Sequence, residues 1–283
     1  PPQPNRWANP LLRSLVVDEA RASKTMVDIL QGYGSVPDPR LTLILSKSQA
    51  WVQGKDGSEE WKGVPNGLPV TELSLPEYDN NHNSCIWGYM WGYDWNSAEK
   101  GDNISKPQTD ADFTPLGLMN YSEVCFLKAE AALRGWQGAG DAKTNYENGI
   151  HASFEEMRAN APKDSYSKSN DDKYISEGNV AWNNADSFEA KLEKIITQKW
   201  IGIYPNSEEA WAEFRRTGYP KLNPVKQSLE PTINSKNGEF IKKLRYVDNE
   251  LSNNKEYATD PTLNGGQGDG LSVRVWWDTA RYK

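Results

Sequence analysis

Two helical patterns separated by glycines, in the middle of the chain, do most to restrict its fold. Residues Ser122–Trp136 are apolar around most of a helical circumference, the pattern of a helix packed on several sides. After a short glycine-rich turn, Asp141 is placed to cap a second helix. The apolar residues of that second helix form one stripe: Ala142, Tyr146, Ile150, Phe154 and Met157. Two such helices joined by a short turn predict an antiparallel αα-hairpin of the tetratricopeptide type.

A second helical hairpin is predicted after the polar stretch 162–184. Residues Ser187–Tyr204 carry apolar side chains at helical spacing, and Pro205 ends this pattern. Asn206 begins a sequence resembling a capping box, which predicts a helix at Ser207–Arg216. Because hairpins of this kind stack on one another, we expect a mainly α fold, an α-α superhelix.

The regions around the hairpins are expected to be less regular. Residues 11–34 have apolar residues at helical spacing and predict one amphipathic helix or a broken pair. Residues 35–120 are rich in Pro, Gly, Asn and Asp and predict a loop-rich aromatic insertion. After the hairpins at 121–217, residues 218–283 again lack a helical period and end in a β-like run. We therefore expect residues 1–283 to be a portion of a single domain, with long irregular loops and a few short strands.

Composition and motifs argue against several functional classes. The 32 basic and 39 acidic residues give a net charge of -7, which disfavours nucleic acid as a partner. No apolar run is long enough for a transmembrane helix. Cys85 and Cys125 form no disulfide framework or thiolate zinc motif, and His82 and His151 form no metal-ligand pair. Since nucleophile-elbow and phosphate-loop motifs are also absent, we predict no catalytic residue, cofactor or metal.

The strongest local pattern is an aromatic strip in residues 87–95. Its members recur with a period of two: Trp87, Tyr89, Trp91, Tyr93 and Trp95. In an extended chain this period places all five rings on one face, where the flat C–H faces of sugars can stack. Three polar side chains nearby are candidates for binding sugar hydroxyls: Asn83, Asp94 and Asn96. The strip predicts a carbohydrate platform; packing against the hairpins as an edge of the core stays open as the alternative.

Two further tryptophans are candidate ligand-binding residues. Trp51 and Trp61 flank the polar loop 53–60, and binding residues concentrate on exposed loops. Isolated exposed aromatic residues are also common on protein surfaces, so exposure without a ligand role stays open for both. In contrast, Trp200 and Trp211 lie in predicted helices, and we expect them to belong to the core.

Six segments spread over nearly the whole chain carry a family resemblance. They are Asp38–Leu41, Gly63–Leu68, Tyr121–Phe154, Gln198–Leu222, Leu244–Asn249 and Val275–Asp278. The motif around Trp200 and Trp211 is long and highly specific. Together the segments resemble the C-terminal half of SusD/RagB-type outer-membrane lipoproteins of Bacteroidetes. These are fold motifs, so the candidate site residues rest on the aromatic pattern alone.

The resemblance implies a non-catalytic protein built on tetratricopeptide-like hairpins. Members of this family capture oligosaccharides, and some capture peptides, for import through a SusC-like TonB-dependent transporter. The resemblance also implies a lipid anchor at the extracellular face of the outer membrane, attached to an N-terminal cysteine outside this chain. An N-terminal half, also outside this chain, is expected to complete the ligand site. Oligosaccharide capture is the function expected of this chain, and peptide capture by the same fold remains as an alternative. A glycan hydrolase and a purely helical scaffold remain as alternatives from other classes.

Overall fold

A computed structural model describes residues 21–85, 117–159, 168–233 and 239–278. The α-helices in these ranges are α1 Lys24–Leu30, α2 Leu41–Ile44, α3 Gln49–Val52, α4 Val70–Leu73, α5 Tyr121–Leu133, α6 Ala142–Ala159, α7 Asp171–Ser176, α8 Phe188–Gly202, α9 Ser207–Thr217, α10 Asp248–Asn253, α11 Lys255–Ala258 and α12 Leu263–Gly266. Short 3₁₀ helices lie at Gly32–Gly34, Pro76–Tyr78 and Gly178–Val180. The mainly helical fold is confirmed. None of the helices in the described ranges is both long and apolar enough to cross a membrane.

The few short strands expected from the sequence are replaced by isolated bridges in the described ranges. Arg21 pairs with Cys85 in an antiparallel bridge, and Ser23 pairs with Val64 in a parallel one. The second bridge ends at once because Ser23 is the N-cap of α1, and its Oγ accepts a hydrogen bond from the Met26 N–H at 3.1 Å. The β-like run near the C-terminus likewise forms no strand up to residue 278.

Helices α5 and α6 form the first predicted hairpin. Asp141 caps α6 through a 2.8 Å hydrogen bond that its Oδ1 accepts from the Thr144 N–H. The two helices approach closely at Gly149, where a Cβ atom would lie only 2.6 Å from the Phe126 ring. Phe126 in turn makes an edge-on contact with Tyr146, with ring centroids 6.4 Å apart. A glycine at this position therefore lets the hairpin close around one aromatic side chain.

Helices α8 and α9 form the second predicted hairpin. The N–H of Ala190 donates to the Oγ of Ser187 at 3.2 Å, and Asn206 caps α9 in the same way. Gly218 ends α9 in the left-handed conformation, with φ at 79°. The predicted bounds of both helices are confirmed to within two residues.

The apolar core consists of two clusters. The first core cluster joins α1, α2 and one residue each of α6 and α8: Ala22, Met26, Val27, Ile29, Leu30, Leu41, Leu43, Ile44, Leu45, Met157 and Ile201. The second core cluster joins α5 to α8: Phe126, Ala129, Tyr146, Ile150, Phe154, Tyr174, Ile175, Leu192, Ile195 and Ile196. Trp200 packs against the first cluster as a partly buried side chain. Trp211 lies half-buried at the C-terminal region, where its indole N–H donates to the carbonyl of Ile241 at 3.1 Å.

A fully buried ion pair connects the two clusters. The guanidinium of Arg40 binds the carboxylate of Asp38, with 2.6 Å between Nη2 and Oδ2, and both side chains have no exposure. Arg40 also donates to Ser153 on α6 and to Gln198 on α8. The Tyr174 hydroxyl donates to Asp38 at 2.6 Å. This arrangement fastens the segment before α2 to three helices of the hairpin region.

Candidate ligand-binding loops

Two loop segments pack together next to the first core cluster, and we call them the loop layer: residues 46–62 and 76–85. Backbone hydrogen bonds join them, since the N–H of Ala50 donates to the carbonyl of Asn81 at 2.7 Å. The N–H of Ser84 donates to the carbonyl of Lys62 at the same distance. Within the first segment, the N–H of Ser48 donates to the carbonyl of Glu60. The loop layer is thus held by main-chain bonds that do not depend on most of its side chains.

Trp51 lies in the loop layer on helix α3 and is half-buried. The N-cap of α3 is Ser48, whose Oγ accepts a hydrogen bond from the Trp51 N–H. The ammonium group of Lys47 lies 4.9 Å from the centroid of the Trp51 ring, a cation–π contact. Lys47 also forms a 3.0 Å ion pair with Glu60. The indole is therefore fixed at one face by a cation that is itself held in place.

Trp61 lies in the same layer, ten residues further along. It is half-buried and packs against the first core cluster. The following residue, Lys62, exchanges two hydrogen bonds with Ser84, one through the Ser84 hydroxyl and one through its N–H. The structure therefore places Trp51 and Trp61 in a single hydrogen-bonded layer, although each packs against different neighbours.

Asn83 belongs to the loop layer and is buried there, with only 1% of its surface exposed. Its Nδ2 donates to the carbonyls of Glu77 and Asp79 at 2.9 and 2.8 Å, while its Oδ1 has no partner among the described residues. The adjoining turn is closed by Asp79, whose carboxylate accepts hydrogen bonds from Asn81 and His82. Burial opposes ionisation of Asp79, but the bonds from His82 lower the pKa of this carboxyl overall.

The remaining predicted site residues lie outside the described ranges. They are Trp87, Tyr89, Trp91, Tyr93, Asp94, Trp95 and Asn96. The first described range ends at Cys85, whose carbonyl accepts a 2.8 Å hydrogen bond from the Ser46 N–H. The sequence of the strip thus follows directly on the loop layer that holds Trp51, Trp61 and Asn83. Its role as a carbohydrate platform stays a prediction.

Sequence reasoning did not single out Lys47 as part of this region. Its position four residues before Trp51 was the available signal, because residues at that spacing approach one another at the start of a helix. Among the described residues, no group of three or more His, Cys, Asp or Glu side chains is arranged to hold a metal ion. What the loop layer offers chemically is the aromatic surface of Trp51 and Trp61 together with charged and polar side chains.

Comparison with known proteins identifies the family. The profile of the SusD-like family, described as SusD and RagB outer membrane lipoproteins, matches residues 4–278. The chain belongs to the SusD/RagB family. Comparison with curated proteins gave no significant match.

Several solved structures of SusD homologues are similar to this chain. A SusD homologue from Bacteroides uniformis is 26% identical to this chain, with a TM-score of 0.70. The aligned region covers 96% of this chain and 53% of the homologue. One from Bacteroides vulgatus is 27% identical, with coverages of 99% and 53% and a TM-score of 0.69. A chitin-binding SusD homologue from Flavobacterium johnsoniae is 30% identical, with coverages of 91% and 49% and a TM-score of 0.64. The chain therefore spans about half the length of these SusD/RagB relatives.

Charged residues within the SusD/RagB motifs quoted from the sequence have structural roles in this chain. Asp38 and Arg40 form the buried ion pair between the core clusters. Lys199, in the motif around Trp200, is 1% exposed and lies within 4 Å of carboxylates from Glu123 and Glu213. Neither group lies in the loop layer. This is consistent with the view that the family motifs specify the frame and leave the ligand to other residues.

Proposed function

We propose that this SusD/RagB chain is part of a non-catalytic cell-surface protein that captures oligosaccharides. The observation that carries the proposal is the loop layer, which holds Trp51 and Trp61 half-exposed and whose last residue comes two positions before the aromatic strip in the sequence. The chitin-binding activity of the similar SusD homologue from Flavobacterium johnsoniae supports the same ligand class.

Stacking on aromatic rings is the proposed source of affinity. Lys47 covers one face of the Trp51 indole, and we assign the sugar ring to the other face. The strip residues Trp87, Tyr89, Trp91, Tyr93 and Trp95 are proposed to extend this surface, so that several sugar units bind in a row. Loss of any one ring should then weaken binding without abolishing it.

Polar side chains near the strip are the proposed source of selectivity. Asp94 and Asn96 are assigned to sugar hydroxyls, which they can engage as acceptors and, for the amide, also as a donor. We assign Asn83 a positioning role, because its amide nitrogen donates to two carbonyls within the loop layer.

Delivery to a transporter completes the proposal. The family description of outer membrane lipoproteins supports attachment of the whole protein to the cell surface by lipid. We propose that the captured glycan passes to a SusC-like TonB-dependent transporter. Since the similar structures are about twice as long as this chain, the other half of the protein is proposed to share in both the ligand site and the transporter contact.

The direct test is isothermal titration of the intact protein against a panel of oligosaccharides. We expect Trp51→Ala, Trp91→Ala and Trp95→Ala each to weaken binding about tenfold, the loss of one stacked ring. Trp276→Ala is the matched control because this indole is 93% exposed on the C-terminal region. Unchanged binding in all three loop variants would remove the loop layer and strip from the site. Release of shortened sugars during incubation would instead indicate a hydrolase.

A further inference from the structure

A cavity on the helical frame shares no residue with the loop layer. It opens between the C-terminal end of α1 and helix α8 and has a volume of about 360 Å³. Five separate stretches of the chain line it, and their contributions include Ile29, Tyr33, Tyr146, Asn179, Thr197 and Pro220. Small-molecule pockets have volumes of about 300–1,000 Å³, so this cavity has room for a small ligand.

Tyr33 lies at this cavity in an unusual backbone conformation. Its φ and ψ angles are 50° and 39°, in the left-handed region that disfavours residues with a Cβ atom. The side chain is 59% exposed, so packing of the ring within the described chain offsets little of this strain. Strained residues of this kind concentrate at functional sites. At Tyr33, a strained backbone conformation coincides with an exposed aromatic ring beside a cavity.

Three uncharged polar groups line the cavity without a hydrogen-bond partner in the described ranges. They are the hydroxyl of Tyr33, the amide of Asn179 and the hydroxyl of Thr197. Each of these groups can both donate and accept a hydrogen bond. Burial, together with the carboxylates of Asp28 and Glu193, raises the pKa of Tyr33. A phenol is protonated at neutral pH even at its ordinary pKa of about 10, so the Tyr33 hydroxyl is able to donate.

The charged side chains around the cavity are neutralised within the protein. The ammonium of Lys194 donates to the carboxylate of Asp186 at 2.7 Å and to the carbonyl of Ala181 at 2.6 Å. The carboxylate of Glu193 pairs with Lys221 at 2.8 Å. A charged ligand would have to compete with these pairs, whereas a neutral one would not.

We propose that this cavity is a second ligand site, which binds a neutral mono- or disaccharide. The ring of Tyr33 stacks on one face of the sugar, and Asn179 and Thr197 bind its hydroxyl groups. An aromatic face combined with neutral groups that donate and accept matches the alternating C–H and O–H surface of a sugar. The site extends glycan binding to the helical frame and does not require the loop layer.

The test is titration of the intact protein with glucose, N-acetylglucosamine, maltose and chitobiose. Binding is measured by calorimetry and by ligand-observed NMR. We expect at least one of these sugars to bind with a dissociation constant in the roughly millimolar range, given the size of the ligand. Tyr33→Gly and Thr197→Val should each weaken that binding about tenfold, the loss of one stacking or hydrogen-bonding contact. Because glycine accepts the left-handed conformation, Tyr33→Gly should also leave the melting temperature unchanged or higher.

Matched controls separate this site from the loop layer. Tyr257→Ala removes a phenol that is 69% exposed on α11, and it should leave binding unchanged. Binding that persists in Trp51→Ala but falls in Tyr33→Gly supports the second site, even if the loop-layer proposal fails. Binding that falls in Trp51→Ala and is equal to wild type in both Tyr33→Gly and Thr197→Val overturns the second site and leaves the loop layer standing. Absence of binding by all four sugars at tens of millimolar also overturns it.

Discussion

The buried ion pair between Asp38 and Arg40 gives the sharpest test of what holds the frame together. We consider Asp38→Asn, which keeps the shape of the side chain and removes its charge. In the folded chain Arg40 has no exposure, and its Nε and Nη2 both donate to the Asp38 carboxylate, at 2.9 and 2.6 Å. The variant would leave the guanidinium buried without an opposing charge.

The expected cost follows from this burial. Removing one partner of a buried ion pair costs about 3–5 kcal/mol, because the other charge stays desolvated and uncompensated. Tyr174→Phe removes only the 2.6 Å hydrogen bond to the same carboxylate, and hydrogen bonds to charged groups contribute about 1.5–3 kcal/mol. The double substitution of Asp38 to Leu with Arg40 to Met should recover part of the loss, since neither charge then remains.

Urea unfolding followed by tryptophan fluorescence measures these differences in the free energy of unfolding. The control is Lys168→Ala, which breaks the exposed ion pair with Glu155, where both side chains are at least 60% exposed. Exposed pairs contribute roughly 0–1 kcal/mol. If Asp38→Asn costs no more than Lys168→Ala, the argument from desolvation is refuted for this site.

Three further changes test other parts of the frame. Lys199→Met should lower the free energy of unfolding by about 3–5 kcal/mol in urea titrations, because the buried ammonium holds three glutamates together. Burial raises the pKa of Glu130, but Arg216 and Arg134 lower it overall. The stability from this carboxylate is therefore present above about pH 4.3 and lost as pH falls through its folded pKa, so the cost of Glu130→Gln should shrink in acid. Gly149→Ala should lower the melting temperature through overpacking of about 1–3 kcal/mol against the Phe126 ring.

The hairpin helices could be predicted from the sequence because their apolar residues face one core. Residues predicted as Ser187–Tyr204 form Phe188–Gly202, and Ser207–Arg216 extends by one residue to Thr217. The four-residue helices of the loop-rich region could not be predicted, since they are too short to show a helical period. Among them, α3 is held by its N-cap Ser48 and by the hydrogen bond from the Ala50 N–H to the distant carbonyl of Asn81.

The polar interior was beyond prediction from local pattern. Arg40 bonds to Ser153 and Gln198, which lie 113 and 158 positions away along the chain. Lys199 and Glu213 occupy helix positions that periodicity would assign to the interior, yet both are charged and buried. Only their mutual neutralisation makes these placements possible, and that depends on tertiary contacts which the sequence does not reveal.

The two candidate sites also differ in how far the sequence alone could indicate them. Trp51 and Trp61 could be selected from the sequence because aromatic residues beside a polar loop are visible in one short stretch. The cavity at Tyr33 could not, since its lining comes from segments near residues 30, 146, 180, 195 and 220. The one local signal was a tyrosine between two glycines, and its left-handed conformation appears only in the folded chain.

The way the loop layer is built bears on how specificity can change in this family member. Its two segments are joined by main-chain bonds, such as those from Ala50 to Asn81 and from Ser84 to Lys62. These bonds survive substitution of Trp51 or Trp61, because neither indole takes part in them. The frame beneath is stabilised separately by buried charges such as Arg40. Ring-for-ring changes at Trp51 should therefore alter ligand preference while the main-chain bonds of the loop layer stay in place. A loss of binding in Trp51→Ala can be attributed to the site when its urea unfolding curve matches that of the unchanged protein.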